Sequence, residues 1–357
     1  MSTRTAARSR LAWWWPLLFI ALLAGALLGE RMLFSHPQEP FEARREMMDT
    51  WLSMVVYDTD PDRAAGAMDA AFSRMDQVVS IASTHDPAAE AARLNADGEL
   101  RSPSPELVEL ITSSQHFYRV SGGTFDIAIE PLLALWRYDP AAEVQFWEIP
   151  PAGQQAAIAE AMSFTGANRI AVTAGVEARI ALAPGMRITL DGIAKGYVAD
   201  EGLRALKEAG IEHALIDAGG DIVVMGGKPG GAKWEVALRD PEDETRTLAR
   251  FALRDGAIAT SGNYLRYFDP EAQVGHIMDP RTGYSAAAAS SATVIAPTCM
   301  EADALATAVF VLGSTEGIEL VDRLDGVEAI VLGYEDPTLV FRSQRLDAYE
   351  VSEKDGA

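Results

Sequence analysis

Residues 11–29 form an uncharged, mostly apolar run, with Arg4, Arg8 and Arg10 in front of it and Glu30 and Arg31 behind. No other feature limits the folding of this chain so strongly. A run of about 19 residues lies between a long signal-peptide core and a short transmembrane helix, and in either case it divides a membrane-seeking leader from the rest. The basic flank keeps the N-terminus cytoplasmic and sends the remainder across the membrane. Trp13, Trp14 and Trp15 at the cytoplasmic end fit an interfacial belt and favour an uncleaved anchor, while Ala24-Gly25-Ala26 keeps cleavage open. No cysteine near the run offers a lipoprotein anchor. The expected organisation is residues 1–36 as flank plus anchor or signal peptide, 37–345 as one exported body and 346–357 as a charged tail. The expected location is the bacterial inner membrane facing the periplasm, or the periplasm itself if the leader is cut.

The composition, 48% hydrophobic and 23% charged, is that of a globular protein. Net charge is −22, and because residues 1–36 are basic the body carries about −25. Such a body repels nucleic acid and anionic headgroups, so no nucleic-acid partner is expected. The single cysteine, Cys299, excludes an internal disulfide framework, nothing resembles a Cys/His zinc site, and a buried thiol is expected.

The polar, Pro-containing stretch 35–46 reads as the juncture between leader and body. Helical spacing of apolar residues runs over 60–92 (Ala67, Met68, Ala71, Phe72, Met75, Val78) and again over 105–120, where Ser121-Gly122-Gly123 ends it. After a Pro-rich middle and a helix over 154–162, short β-rich segments are expected at 169–172, 178–182 and 186–190, then a helix over 193–209. Strands follow at 214–216, 222–225, 234–238, 247–253 and 257–259, an apolar helix at 300–312, and strands at 329–334 and 339–342. The expected class is α+β, with helices packed on a largely antiparallel sheet.

Five punctuated segments can carry chemistry, each at a junction between apolar structure and a turn. Gly122-Gly123-Thr124-Phe125-Asp126 lets backbone approach a ligand and gives Asp126 as an acceptor for ribose or adenine, though a helix cap explains it equally well. Thr189-Leu190-Asp191-Gly192-Ile193-Ala194-Lys195-Gly196-Tyr197 leads from extended chain into a helix, whose free N–H groups and Lys195 suit a pyrophosphate; it is neither a P-loop nor a GxGxxG turn. Asp217-Ala218-Gly219-Gly220-Asp221 reads as a tight strand connection. Ala259-Thr260-Ser261-Gly262-Asn263-Tyr264 is taken together with Gly275-His276-Ile277-Met278-Asp279-Pro280, where His276 is the natural general base among these segments. His36 lies in the linker, and His85, His116 and His213 fall in helices or at their ends. In the segment from Ala296 to Thr307, Asp303 and Thr307 stand four apart on one helix face and offer two oxygens of the kind Mg2+ takes, whereas Glu301 faces elsewhere. A solvent-facing or Arg-paired Asp303 is the other reading.

These segments, in this order, resemble the signature blocks of the ApbE family of FAD:protein FMN transferases: SGGTFDIAIEPLLALW, LDGIAKGYVAD, IDAGGDIVVMG, ATSGNY, HIMDPRTG and TVIAPTCMEADALATAVFVLG. The resemblance spans roughly residues 45–345 and implies an ApbE-like fold. It further implies Mg2+-dependent transfer of FMN from FAD to a threonine hydroxyl of an exported acceptor in a redox or ion-pump system, with AMP released. By position it implies Asp303, Thr307 and the backbone oxygen of Gly192 as metal ligands, and His276 as the group activating the acceptor threonine. FAD contacts are implied for Met48, Asn95, Thr124, Phe125, Asp126, Lys195 and Met278. Three departures stand out: Asp49 replaces a family glycine, His85 replaces a flavin-contacting tyrosine, and TLDGIAKG replaces DLGGIAKG, so that Thr189 takes an aspartate position and Asp191 a glycine position. Two alternatives stay open at this stage. One is a Mg2+-dependent FAD pyrophosphatase giving FMN and AMP; the other is a non-catalytic flavin-holding assembly factor.

Overall fold

The computed structural model describes residues 39–351 apart from 174, 176, 242, 244, 264–266 and 270–273; the apolar run at 11–29 lies outside the described residues. Its frame is an eight-stranded sheet in the order β1 (Phe41–Met47), β2 (Thr50–Tyr57), β6 (His213–Ala218), β7 (Asp221–Met225), β10 (Gly256–Gly262), β13 (Ala289–Ala296), β14 (Glu328–Gly333) and β15 (Val340–Arg342). Every neighbouring pair is antiparallel. The remaining strands form smaller pieces: β3 (Glu99–Arg101), β4 (Ala171–Thr173) and β5 (Arg179–Ala181) in one sheet, the hairpin β8 (Trp234–Arg239) and β9 (Thr247–Leu253), and the pair β11 (Tyr267–Asp269) and β12 (Val274–Gly275). Helices α1 (Pro61–Ala82), α2 (Glu90–Asp97), α3 (Pro105–Val120), α4 (Glu130–Trp136), α5 (Pro151–Met162), α6 (Ala194–Glu208) and α7 (Cys299–Val321) complete the chain.

Alternation along the strands assigns the two sheet faces different partners. One face is rich in alanine (Ala214, Ala218, Ala257, Ala259, Ala292, Ala329) and joins the helices in the main core. Small side chains there let α6 and α7 lie close to the strands. The opposite face presents Val224, Ile258, Ile295 and Ile330 to the β8–β9 hairpin and to Leu346. The structure thus continues past residue 345: Leu346 is buried, and Val351 N–H donates to Arg250 O at 2.9 Å. A third apolar cluster joins α4 and α5 to Val274 and Met278. Helix α7 is long and apolar enough to cross a membrane, with hydropathy 1.5, yet 61% of that stretch is buried within the body. Burial on several sides explains its composition.

Five sequence expectations need correction. Residues 35–46 are not all linker, because β1 begins at Phe41; its charges (Glu42, Arg44, Arg45, Glu46) hide the alternation, as befits an edge strand. The expected single helix over 60–92 breaks after Ala82, where the Ser83 hydroxyl accepts from His85 N–H and Asp86 N–H at 3.2 and 3.0 Å. The last helix runs on to Val321 through a non-helical Gly313. Segment 186–190 joins no ladder. Asn95 replaces the missing strand, its amide donating to Ile188 O at 2.8 Å and accepting from Ile188 N–H at 2.7 Å, while Thr189 N–H donates to Ile127 O. His213 opens β6 rather than standing at a helix end.

Two helical glycines predict opposite outcomes. An exposed Gly66 in α1 has nothing within 4 Å of a built Cβ, so Gly66→Ala stabilises by about 1 kcal/mol in denaturant titration. In α6 the Cβ of a Gly202→Ala variant meets Met75 Cε at 2.0 Å, and that variant loses about 1–3 kcal/mol in the same titration.

Candidate active site

The site is built where the N-termini of α6 and α7 meet. A Cβ at Gly196 stands 2.3 Å from the carbonyl oxygen of Cys299, so only glycine permits this backbone approach. The Asp200 carboxylate, one turn on, accepts from Cys299 N–H and Met300 N–H, both at 2.9 Å, and fills the first free donors of α7. Burial raises this carboxyl to about 6, against the pull of those two donors. Thr298 caps the same helix through Glu301 N–H at 3.2 Å. Cys299 is buried, as expected.

Asp303 is turned inward and is only 4% exposed. Its Oδ2 accepts from Gly196 N–H at 3.1 Å, and its Oδ1 lies 3.8 Å from Lys195 Nζ. Burial pushes its carboxyl up, opposed chiefly by the Lys195 charge and reinforced by Asp221 and Asp191. Lys195 itself is hydrogen-bonded to the buried Asp221. Burial pulls its ammonium down, but Asp303 and Asp221 outweigh that and hold it well above its ordinary value. One cation therefore serves two carboxylates.

One turn along α7, Thr307 Oγ1 lies 3.3 Å from Ser261 Oγ at the end of β10. A Cβ at Gly192 would come within 3.2 Å of Thr307 Oγ1 and 3.3 Å of Phe125 Cε2, so these three residues converge. The preceding Thr124 is buried and donates to Ser121 O at 3.1 Å. Asp126 accepts from Ala128, Gly166 and Ala167 N–H at 2.9, 2.7 and 2.9 Å, and burial lifts it to about 6. Both its oxygens are thus occupied in clamping the 166–167 turn. The Thr189 hydroxyl accepts from Asp191 N–H at 3.3 Å, and Asp191 is exposed.

Met48 and Asp49 form the tight turn between β1 and β2, with φ of 52° and 56°. Two positive φ values are the hairpin geometry that glycine favours, so the turn stays tight with aspartate in place of glycine. Gly219 packs beside it, since its Cβ would meet Thr50 Oγ1 at 2.4 Å; Met48 therefore shares a sheet end with the Gly219-Gly220 turn and Asp221.

His276 is half-buried just beyond β12. The two segments paired in the sequence are joined by Asn263, which donates to Ala286 O at 3.2 Å and accepts from Ile277 N–H at 3.4 Å. Gly275 lets Asn263 come close: a Cβ there would fall 2.1 Å from Asn263 Cγ, so any side chain displaces it. Ser261 on Thr307 and Asn263 on Ile277 thus tie His276 to the α7 oxygens through three consecutive residues. Met278 is buried in the third apolar cluster, and His85 is exposed on the α1–α2 connection. Asp221, Ser261, Asn263 and Asp200 were not singled out as site residues in the sequence. Each sat in or beside a noticed segment, but its partner lies far along the chain.

Oxygen donors for a hard cation gather at Asp303 and Thr307 beside the Gly192 backbone; among the described residues no three His, Cys, Asp or Glu side chains form a metal cluster. Gly196→Ala should force α6 from α7, costing about 3 kcal/mol in denaturant titration. Gly275→Ala should instead shift the His276 ring resonances in NMR with a stability loss of only about 1–2 kcal/mol, because Asn263 is a side chain that can yield.

The ApbE family profile matches residues 48–331. The chain is 31% identical to the FAD:protein FMN transferase of Treponema pallidum over 289 residues, covering 74% of this chain and 76% of that one. It is 28% identical to the protein of that name from Escherichia coli K12 over 350 residues, covering 94% and 98%. The crystal structure of the ApbE protein from Thermotoga maritima superposes with a TM-score of 0.78 at 27% identity, covering 88% of this chain and all of that one. The apo flavinyl transferase ApbE of Pseudomonas stutzeri shares the fold, with a TM-score of 0.74 at 24% identity over 88% of this chain and 98% of that one. With most of its length matched by the family profile, this chain belongs to the ApbE family.

Proposed function

We propose that this protein is an FAD:protein FMN transferase that moves FMN from FAD to a threonine hydroxyl of an exported acceptor, releasing AMP. The observation that carries this reading is the buried Asp303 with half-buried Lys195 and Thr307 beside it at the paired helix N-termini, set on a family whose curated members bear that name. Mg2+ fits the residues: the donors are all oxygen, and among the described residues the buried Asp303 and Asp221 carboxylates share the single cation Lys195. Asp303, Thr307 and the Gly192 carbonyl would hold the ion, which supplies positive charge to the pyrophosphate when bound.

The chain's own groups account for the remaining demands. Lys195, half-buried in the first turn of α6, favours an anionic phosphate at this site. The threonine hydroxyl is too weak a nucleophile unaided, and His276 takes its proton as the oxygen attacks the FMN phosphorus. The new bond is a threonine–phosphate ester, the broken one joins the two phosphates, and AMP leaves with the bridging oxygen. Rigid packing of Asn263 against the 275–277 backbone fixes the base, because misplacement of about 1 Å costs on the order of 100-fold. The apolar run at 11–29 supports a site facing the periplasm, on the bacterial inner membrane or free of it if the run is cut, where exported redox or ion-pump acceptors would meet it.

Full-length protein in detergent, incubated with FAD, Mg2+ and a threonine-bearing acceptor domain, should yield a fluorescent acceptor band on a denaturing gel. The band should vanish with chelator or Asp303→Ala and fall by about 100-fold or more with His276→Ala. Free FMN beside an unlabelled acceptor would instead establish a pyrophosphatase, and bound, unreacted FAD a carrier.

A further inference from the structure

Between α4 and α5 the chain makes an excursion over residues 137–150 that has no repetitive structure beyond a short 3-10 turn, Phe146–Glu148. A loop of this length in a compact domain is more often functional than incidental. It is nevertheless held firmly. The Gln145 side chain accepts from Asp139 N–H at 3.0 Å and donates to Asp139 O at 2.7 Å, and Gln154 donates to Phe146 O at 2.9 Å. Its rings form two neighbouring groups joined along the chain at Phe146-Trp147: Tyr138 lies 6.5 Å from Trp147, and the buried Trp136 lies 5.0 Å from Phe146 and 5.5 Å from Tyr284. Large apolar side chains there stay in water, with Tyr138 58%, Val144 56% and Tyr284 37% exposed. The core of the body has no need of them.

The patch is continuous with the strand that carries the base. Trp136 Nε1 donates to Gly283 O at 2.9 Å, Tyr284 follows, and the next residue, Ser285, accepts from Gly275 N–H at 2.9 Å. Gly275 immediately precedes His276. Ser285 pairs with Met278 in an antiparallel bridge, so Tyr284 lies roughly three residue steps along and one strand spacing across from His276, roughly 11 Å, or between about three and four residues of extended peptide. The rim is acidic: Asp139, Glu143 and Glu148 are exposed, while Arg137, the cation in the excursion, is paired bidentately with Glu130 at 3.0 and 3.1 Å.

We propose that this aromatic, acid-rimmed surface docks the acceptor polypeptide, engaging an apolar residue about three to four positions from the threonine together with flanking Lys or Arg. Rigid Tyr and Trp side chains bury large area at little entropic cost, and the carboxylates select the basic partner and repel an acidic one. The same carboxylates oppose an anionic membrane surface as the occupant. The proposal rests on the transferase reading for the identity of the occupant, whereas its test needs no chemistry.

The test measures fluorescence anisotropy of labelled peptides with a central threonine on the full-length chain in zwitterionic nanodiscs, without FAD or Mg2+. One peptide carries leucine and lysine near the threonine, and a second replaces each lysine by glutamate. Saturable binding of the lysine peptide is expected, at least tenfold weaker for the glutamate peptide and for the double variant Tyr138→Ser, Val144→Ser. Both substituted side chains are exposed, so the variant folds, and FAD affinity read by flavin quenching stays unchanged. Equal binding to the double variant, equal binding of the acidic peptide, or no signal above empty nanodiscs would each overturn the docking proposal. A positive result with no flavinylated product would overturn the transferase reading alone.

Discussion

A carboxylate cannot be buried without a partner, and the body of this protein is arranged around the partners of Asp303. Its Oδ2 takes the N–H of Gly196, its Oδ1 lies 3.8 Å from Lys195, and both residues belong to the first turn of a different helix. For that to happen the two helix starts must touch backbone to backbone, which requires the absence of a side chain at Gly196 and a cap from Asp200. The alanine-rich sheet face beneath α6 and α7 has the same cause: helices forced together at one end need small residues along the sheet to remain packed on it. Fold and site are therefore one constraint seen at two scales.

The features legible in the sequence were those written in local periodicity. Helix α3 matched at both ends, the β9 limits matched, and the i, i+4 relation of Asp303 and Thr307 follows from helix geometry alone. Less legible were structures that substitute one kind of hydrogen bonding for another. Segment 186–190 is apolar and alternating, as a strand should be, but Asn95 satisfies its backbone from 93 residues away. The charged edge strand β1 resembles a linker because edges are kept polar. The site residues divide along the same line. Asp303 and His276 stood out by type and setting, whereas Asp221 lay in what looked like a turn, and only the fold reveals that its side chain holds Lys195.

The family departures acquire physical content from the structure. Asp49 adopts the left-handed conformation that glycine occupies more cheaply, so the hairpin keeps its shape at a cost of about 1 kcal/mol or less. Thr189, where the family resemblance implies an acid, offers a hydroxyl that accepts from Asp191 N–H and thereby shapes the turn before Gly192. Asp191 is exposed yet still adds to the upward push on Asp303, so negative charge has moved toward solvent without leaving the neighbourhood.

That charge balance bears on how the site can accept a nucleotide. Lys195 is committed to Asp221 and shared with Asp303, so with both carboxylates ionised the group carries one more negative charge than positive. The whole chain carries −22, so its long-range field gives an anionic ligand no help. On the proposed reading, a pyrophosphate entering this cleft alone would add like charge to a low-dielectric site, where repulsion is far stronger than in water. A divalent cation held by Asp303 and Thr307 would reverse the sign of the group and supply the positive charge that the phosphates need, beside that of Lys195. On that reading the acidic site and the acidic surface share one logic: the carboxylates that would hold the ion are the same groups that oppose a metal-free anion.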